Sequence, residues 1–204
     1  MEKPYRASQS GFYVAGLEAR TSPPLEADPQ TAKIPQLWQR FRTQGLESRL
    51  PRRLAQGHPF CVYFDYEEGP AGAYSVVLGY QVPGLEDVPP GLTGLNIPGG
   101  RYLVFTTHSD NVAQTWAEIQ NYFAQPGSPV RAYTYDYEEH LPPAEAYFRR
   151  AERGEAYFRR DVSFAEPRAR GAERGEASFR RAERGEEGAK RQGADEVRIY
   201  VAVR

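Results

Sequence analysis

Tyr63-Phe64-Asp65-Tyr66-Glu67-Glu68 and Tyr133-Thr134-Tyr135-Asp136-Tyr137-Glu138-Glu139 share the tetrapeptide Asp-Tyr-Glu-Glu. Each stretch follows an amphipathic helical pattern with one tryptophan in mid-face. Before the first, Ile34, Leu37, Trp38 and Phe41 fall at i, i+3, i+4 and i+7; before the second, Val112, Trp116, Ile119 and Phe123 share one side. Working outward, apolar and aromatic runs at 11–19 and 101–107 precede the helices, runs at 59–67 and 130–138 end within the shared tetrapeptide, and runs at 73–82 and 196–203 follow. The runs at 59–67 and 73–82 are joined by the turn-forming Glu68-Gly69-Pro70-Ala71-Gly72. The order strand, helix, strand, strand thus occurs twice, a sign of internal duplication. It predicts an α+β domain, a pseudo-twofold duplication of one module, with an antiparallel sheet, helices on one face and a ligand cleft between the modules. Module one spans 8–82, a Pro- and Gly-dense linker spans 83–99, and module two spans 100–140 plus 196–204.

Between 141 and 195 the composition changes. Glu145 to Gly154, Glu-Ala-Tyr-Phe-Arg-Arg-Ala-Glu-Arg-Gly, recurs in part at 155–160, 172–175 and 176–185. Its ten-residue period matches no coiled coil, and a Gly closes each unit at a cost of about 1 kcal/mol to a helix. It reads as a low-complexity, solvated insertion in a hairpin connection. A protein partner could use its Arg pairs and the aromatics Tyr147, Phe148, Tyr157, Phe158 and Phe179. Nucleic acid is the weaker reading, because 13 Lys and Arg stand against 11 Asp and Glu there and nearly every Arg has a Glu within one helical turn.

Across 204 residues the net charge is −1 with both signs interspersed, which excludes a basic surface for DNA or an anionic membrane. No apolar run approaches a membrane span. The single cysteine, Cys61, allows no intramolecular disulfide, and together with an N-terminus lacking a signal-peptide pattern it points to the cytoplasm. His108-Ser109-Asp110 holds triad residue types but as neighbours, so it reads as the loop before a helix, with Ser109 or Asp110 as cap. His58, His108 and His140 lack metal-ligand spacing, and Gly91 to Gly100 lacks the ending of a phosphate loop, so neither a metal nor a cofactor is expected.

Strand alternation places Val62, Phe64 and Tyr66 on one side of their strand, with Tyr133, Tyr135 and Tyr137 on the matching side of theirs, as if to pack under the helices. The other side then carries Asp65, Glu67, Asp136 and Glu138. Tyr200 lies opposite Val197, Ile199, Val201 and Val203. Carboxylates and tyrosines are therefore expected on the sheet face away from the helices. A carboxylate among aromatics needs a partner, and a cationic ligand supplies one, with ring faces adding cation–π attraction.

The ordered set Ala73 to Val82, Ile97-Pro98-Gly99-Gly100-Arg101-Tyr102-Leu103-Val104-Phe105-Thr106, Thr115-Trp116, Arg131 to Glu138 and Val197 to Val203 resembles the GyrI-like domain, also found as the AraC effector-binding module. The resemblance covers 11–140 and 196–204. It implies two strand-helix-strand-strand modules with a ligand cleft between them, and binding of cationic or amphipathic small molecules, often in multidrug-responsive regulators. The family's acidic cleft residue maps to Glu138. His140 stands where the family has an aromatic, and the insertion falls where it has a short hairpin loop. Glu138, Trp116, Trp38, Tyr200 and Glu67 are the expected ligand-binding residues, and no catalytic residue is assigned. No helix-turn-helix pattern is present, so direct DNA binding is not expected. The resemblance also implies two further roles: hydrolysis of strained cyclopropanoid or electrophilic compounds by the cleft Glu and Tyr, or modulation of a protein partner in the manner of a gyrase inhibitor.

Overall fold

In a computed structural model of the chain, residues 2–50, 54, 57–67, 72–142 and 195–204 are described. Nearly all of the repeat insertion and most of the 68–72 turn lie outside them. Eight strands form one antiparallel sheet: β1 (Tyr5–Gln9), β2 (Phe12–Thr21), β3 (Pro59–Phe64), β4 (Tyr74–Val82), β5 (Thr93–Ile97), β6 (Gly100–His108), β7 (Asp136–His140) and β8 (Glu196–Ala202), in the order β1-β6-β8-β7-β3-β4-β2-β5. The helices are α1 (Pro23–Ala27), α2 (Ile34–Thr43), α3 (Leu46–Arg49) and α4 (Val112–Phe123). Among the described residues no helix is long and apolar enough to cross a membrane.

Two apolar clusters lie under the helices. Leu37 and Phe41 of α2 and Leu46 of α3 pack on Leu17, Cys61, Tyr63 and Leu78. Ile119 of α4 packs on Phe105, Ile199 and Val201. A third cluster, without helices, fills the opposite face with Phe60, Val62, Tyr102, Tyr137 and Tyr200. Tyr137 meets Phe12 of β2 at 5.2 Å and Tyr102 of β6 at 5.4 Å, although those strands lie near opposite ends of the sheet order. The sheet therefore curls until its helix-free face closes on an aromatic core. Central strands are consequently buried on both faces, as Val76, Val77 and Leu78 show.

That double burial corrects the expected assignment of faces. Glu138 is directly opposite Cys61 and Ile199 in the register, and Asp136 is opposite Tyr63, so both acids lie on the helix side. Val62 and Tyr137 lie on the other side. Apolar residues alternate on both faces here, and alternation alone cannot say which face the helices cover.

Three further expectations are corrected. The run 130–138 is a strand only from Asp136, because Tyr133 takes a left-handed conformation at φ 51°. The linker contains strand β5, which pairs with β2 at the sheet edge and buries only Leu95 and Ile97. β1 pairs with β6 at the other edge with most of its side chains exposed, so neither edge strand has a strong apolar signature. The cap of α4 is Asn111, and neither Ser109 nor Asp110 fills that position.

Candidate functional site

Between α2 and α4, above β3 and β7, lies a cavity of about 1150 Å³. Trp38 enters it from α2, Trp116 from α4, and Tyr63, Glu138 and His140 from the strands beneath. The position of α2 depends on Glu26, which also lines the cavity. Its carboxylate accepts the backbone N–H of Lys33 at 2.8 Å and of Ile34 at 3.3 Å, donors at a helix start where Lys33 makes no side-chain cap.

Glu138 is 1% exposed and its carboxylate is held by three donors. The Tyr63 hydroxyl and Trp116 Nε1 both donate to Oε1 at 2.6 Å. His140 Nε2 lies 2.8 Å from Oε2, and because an ionised carboxylate only accepts, that nitrogen donates. The charge is thus hydrogen-bonded rather than bare, in a wall of rings: Trp38 packs edge-on to His140 at 4.6 Å and Tyr63 edge-on to Trp116 at 5.2 Å. Burial, then the nearby Cys61 and Glu138, push the Tyr63 hydroxyl well above the ordinary tyrosine range, so it stays a donor. Burial likewise pushes the Cys61 thiol up, with Glu138 adding to the effect.

A second group in the cavity escaped the sequence. Arg131 reaches Asp136 Oδ2 through Nη2 at 2.6 Å and Nε at 3.2 Å. Its guanidinium lies 4.5 Å from the Tyr133 ring centroid, 5.6 Å from Tyr66 and 5.7 Å from Trp116. Asp136 is fully buried, with Oδ1 taken by the Ala202 N–H and the Tyr66 hydroxyl donating to Oδ2. Burial works against the Arg131 charge, but Asp136, with Tyr66 and Tyr133, outweighs it and holds the guanidinium protonated. Tyr66 and Tyr133 reach this site because Asp65 and Tyr133 adopt positive φ, 54° and 51°, which breaks the strand alternation beside each of them.

Of the expected site residues, Glu138, Trp116 and Trp38 share the cavity. Tyr200 does not: it stacks on Tyr137 at 4.4 Å on the helix-free face and donates to Glu139. Glu67 is also elsewhere. Its side chain is 63% exposed and pairs with Arg20, because β3 ends before it at Phe64.

A family model described as "Integron-associated effector binding protein" matches residues 8–159. The chain belongs to this effector-binding family. That model overlaps most of the span that resembles the GyrI-like domain. Solved structures agree on the fold. The Vibrio cholerae integron cassette protein VCH_CASS2 is 22% identical at a TM-score of 0.62, over 98% of this chain and 95% of that one. SAV2435 bound to tetraphenylphosphonium is 12% identical at 0.60, over 100% and 94%. A putative transcription regulation protein of Staphylococcus aureus MU50 is 10% identical at 0.58, over 99% and 98%. A search of curated proteins gives no match. As in these solved structures, the chain is an α+β fold on an open antiparallel sheet.

Proposed function

We propose that this effector-binding protein takes amphipathic, cationic small molecules into the cavity between α2 and α4, with Glu138 as the anionic anchor. The observation that carries the reading is a carboxylate buried among Trp38, Trp116 and Tyr63 at the base of a cavity large enough for a multi-ring compound. Two of its three hydrogen-bond donors, Tyr63 and Trp116, are neutral, so they orient the charge without cancelling it. A cation against this carboxylate gains a charge-assisted contact in a desolvated site, and the ring faces add cation–π attraction. That a protein of the same fold, SAV2435, is bound to the lipophilic cation tetraphenylphosphonium supports the same ligand class.

The two modules belong to the same proposal. Read from either end, the sheet order places β2, β4 and β3 on one half and β6, β8 and β7 on the other, with α2 and α4 above the respective halves. The cavity then lies at the module boundary. The protein acts as a sensor or sequestering protein in the reducing cytoplasm, where a buried free Cys61 is at home, and its ligand is a small molecule rather than DNA. The repeat segment 141–195, nearly all of it outside the described residues, is the part of the sequence that would serve a protein partner.

Thermal unfolding with tetraphenylphosphonium tests the reading. A ligand at one hundred times its dissociation constant stabilises by about 2.7 kcal/mol, which appears as a rise in melting temperature. No rise with tetraphenylphosphonium or with any other aromatic cation would contradict it.

A further inference from the structure

Glu138 and Arg131 hold opposite charges on two sides of one indole. Trp116 Nε1 donates to Glu138 Oε1, while the Trp116 ring lies 5.7 Å from the Arg131 guanidinium carbon. Both residues line the same cavity. Arg131 is firmly held: its side chain is 9% exposed, and Asp136 engages Nε and Nη2. Tyr66 accepts a further contact from Nη2 at 3.4 Å. Among the described residues the side-chain hydrogen bonds of Arg131 run through Nε and Nη2, none engages Nη1, and the residue lines the cavity. The backbone supports this arrangement at a cost. Tyr133, a bulky residue, is held at φ 51°, and its ring lies 4.5 Å from the guanidinium; strain of this kind persists where surrounding structure over-determines it and concentrates at functional sites.

The consequence for ligand choice is twofold. Ring faces of Tyr66, Tyr133 and Trp116 already serve the protein's own cation, so a second bare cation meets like charge on that side of the cavity. A hydrogen-bond acceptor there meets fixed donors instead. We propose that Arg131 forms a second polar subsite, and that the ligands the cavity prefers carry a carboxylate or comparable acceptor about one indole breadth from their cationic group. This inference rests on Glu138 as the site of the cationic group and adds the class of molecule selected: zwitterionic aromatics over simple lipophilic cations. The arrangement is ready before binding, because Asp136 fixes the guanidinium plane and the ligand need not order it.

A matched pair of dyes tests it. Rhodamine B carries a xanthylium cation and a carboxylate; its ethyl ester keeps the cation and lacks the anionic group. Fluorescence anisotropy titrations of the full chain are expected to give about tenfold tighter binding of rhodamine B than of the ester, the lower end for a charge-assisted contact because Asp136 offsets part of the Arg131 charge. Arg131→Met alone would strand Asp136 as a buried unpaired charge, so the informative variant is Arg131→Met with Asp136→Asn, checked for cooperative unfolding. In it the ratio of the two affinities should fall to near one. If both dyes bind the natural chain equally, or if the double variant keeps the preference, the Arg131 subsite is wrong while the cation site stands. If neither dye binds, the cation reading fails and this inference fails with it.

Discussion

Glu139 shows how one buried side chain ties stability to pH. Burial alone would raise its pKa, but the bond and charge of His58, whose Nε2 lies 2.9 Å from Oε1, together with the Tyr200 hydroxyl and Arg198, hold it below the ordinary carboxylate value. The folded group therefore gives up its proton at lower pH than the same group in the unfolded chain, near pH 4.3. As pH falls through that range the unfolded state takes up the proton first, so the stabilisation is full above about pH 5 and is lost on the way down. Glu139→Gln should flatten the fall in melting temperature between about pH 5 and 3. Equal slopes for the two proteins would contradict the assignment. Glu138 was legible through the family resemblance, and Trp38 and Trp116 through their helical stripes. Arg131 was not, because a single arginine after a Pro-Val pair carries no local signature and its partners arrive through left-handed turns at Asp65 and Tyr133. Tyr63 was missed for a simpler reason: among Phe60, Phe64 and Tyr66 of the same run it carries no signal of its own.

Two elements set the geometry of the cavity and can be tested separately. Glu26 supplies from α1 the acceptors that α2 lacks at its own start. Glu26→Ala should cost about 1 to 2 kcal/mol, as the loss of a good helix cap does. Because α2 carries Trp38, ligand affinity should fall as well, and denaturant melts with unchanged midpoints would show that the cap is dispensable. Strands β2 and β4 cross closely where Gly16 faces Gly79. A Cβ at Gly79 would lie 2.0 Å from the Ala15 carbonyl oxygen and 2.7 Å from Gly16 Cα, backbone atoms fixed by the ladder. Gly79→Ala should destabilise by about 3 kcal/mol, at the upper end of overpacking costs. A loss below about 1 kcal/mol would mean that the strands can separate there without penalty. The longer strands and the helices α2 and α4 follow from apolar periodicity. The edge strands do not, because β1 and β5 are specified by pairing with β6 and β2 more than by their own side chains.

Across the whole molecule, the hairpin that carries the repeats is closed at its base. His140 pairs with Val197, and the Leu141 N–H donates to the Glu196 carbonyl at 2.8 Å. Replacing 143–194 with a short Gly-containing turn should therefore leave a cooperatively folding protein with unchanged ligand affinity, since loop-closure entropy modestly favours the shorter connection. Loss of cooperative unfolding would place the repeats within the core. The binding function itself is tested by calorimetry of the natural chain and of Glu138→Gln against a phenylalkyl trimethylammonium cation and its neutral tert-butyl isostere. Glutamine can keep the contacts to Tyr63 and Trp116 through its carbonyl oxygen and turn its amide toward His140, which then accepts through the other tautomer. The substitution thus removes charge while leaving the hydrogen-bond pattern in place. Affinity for the cation should fall about ten- to a hundredfold, and affinity for the isostere should hold or rise. Equal losses for both compounds, or no loss for the cation, would contradict Glu138 as the anchor.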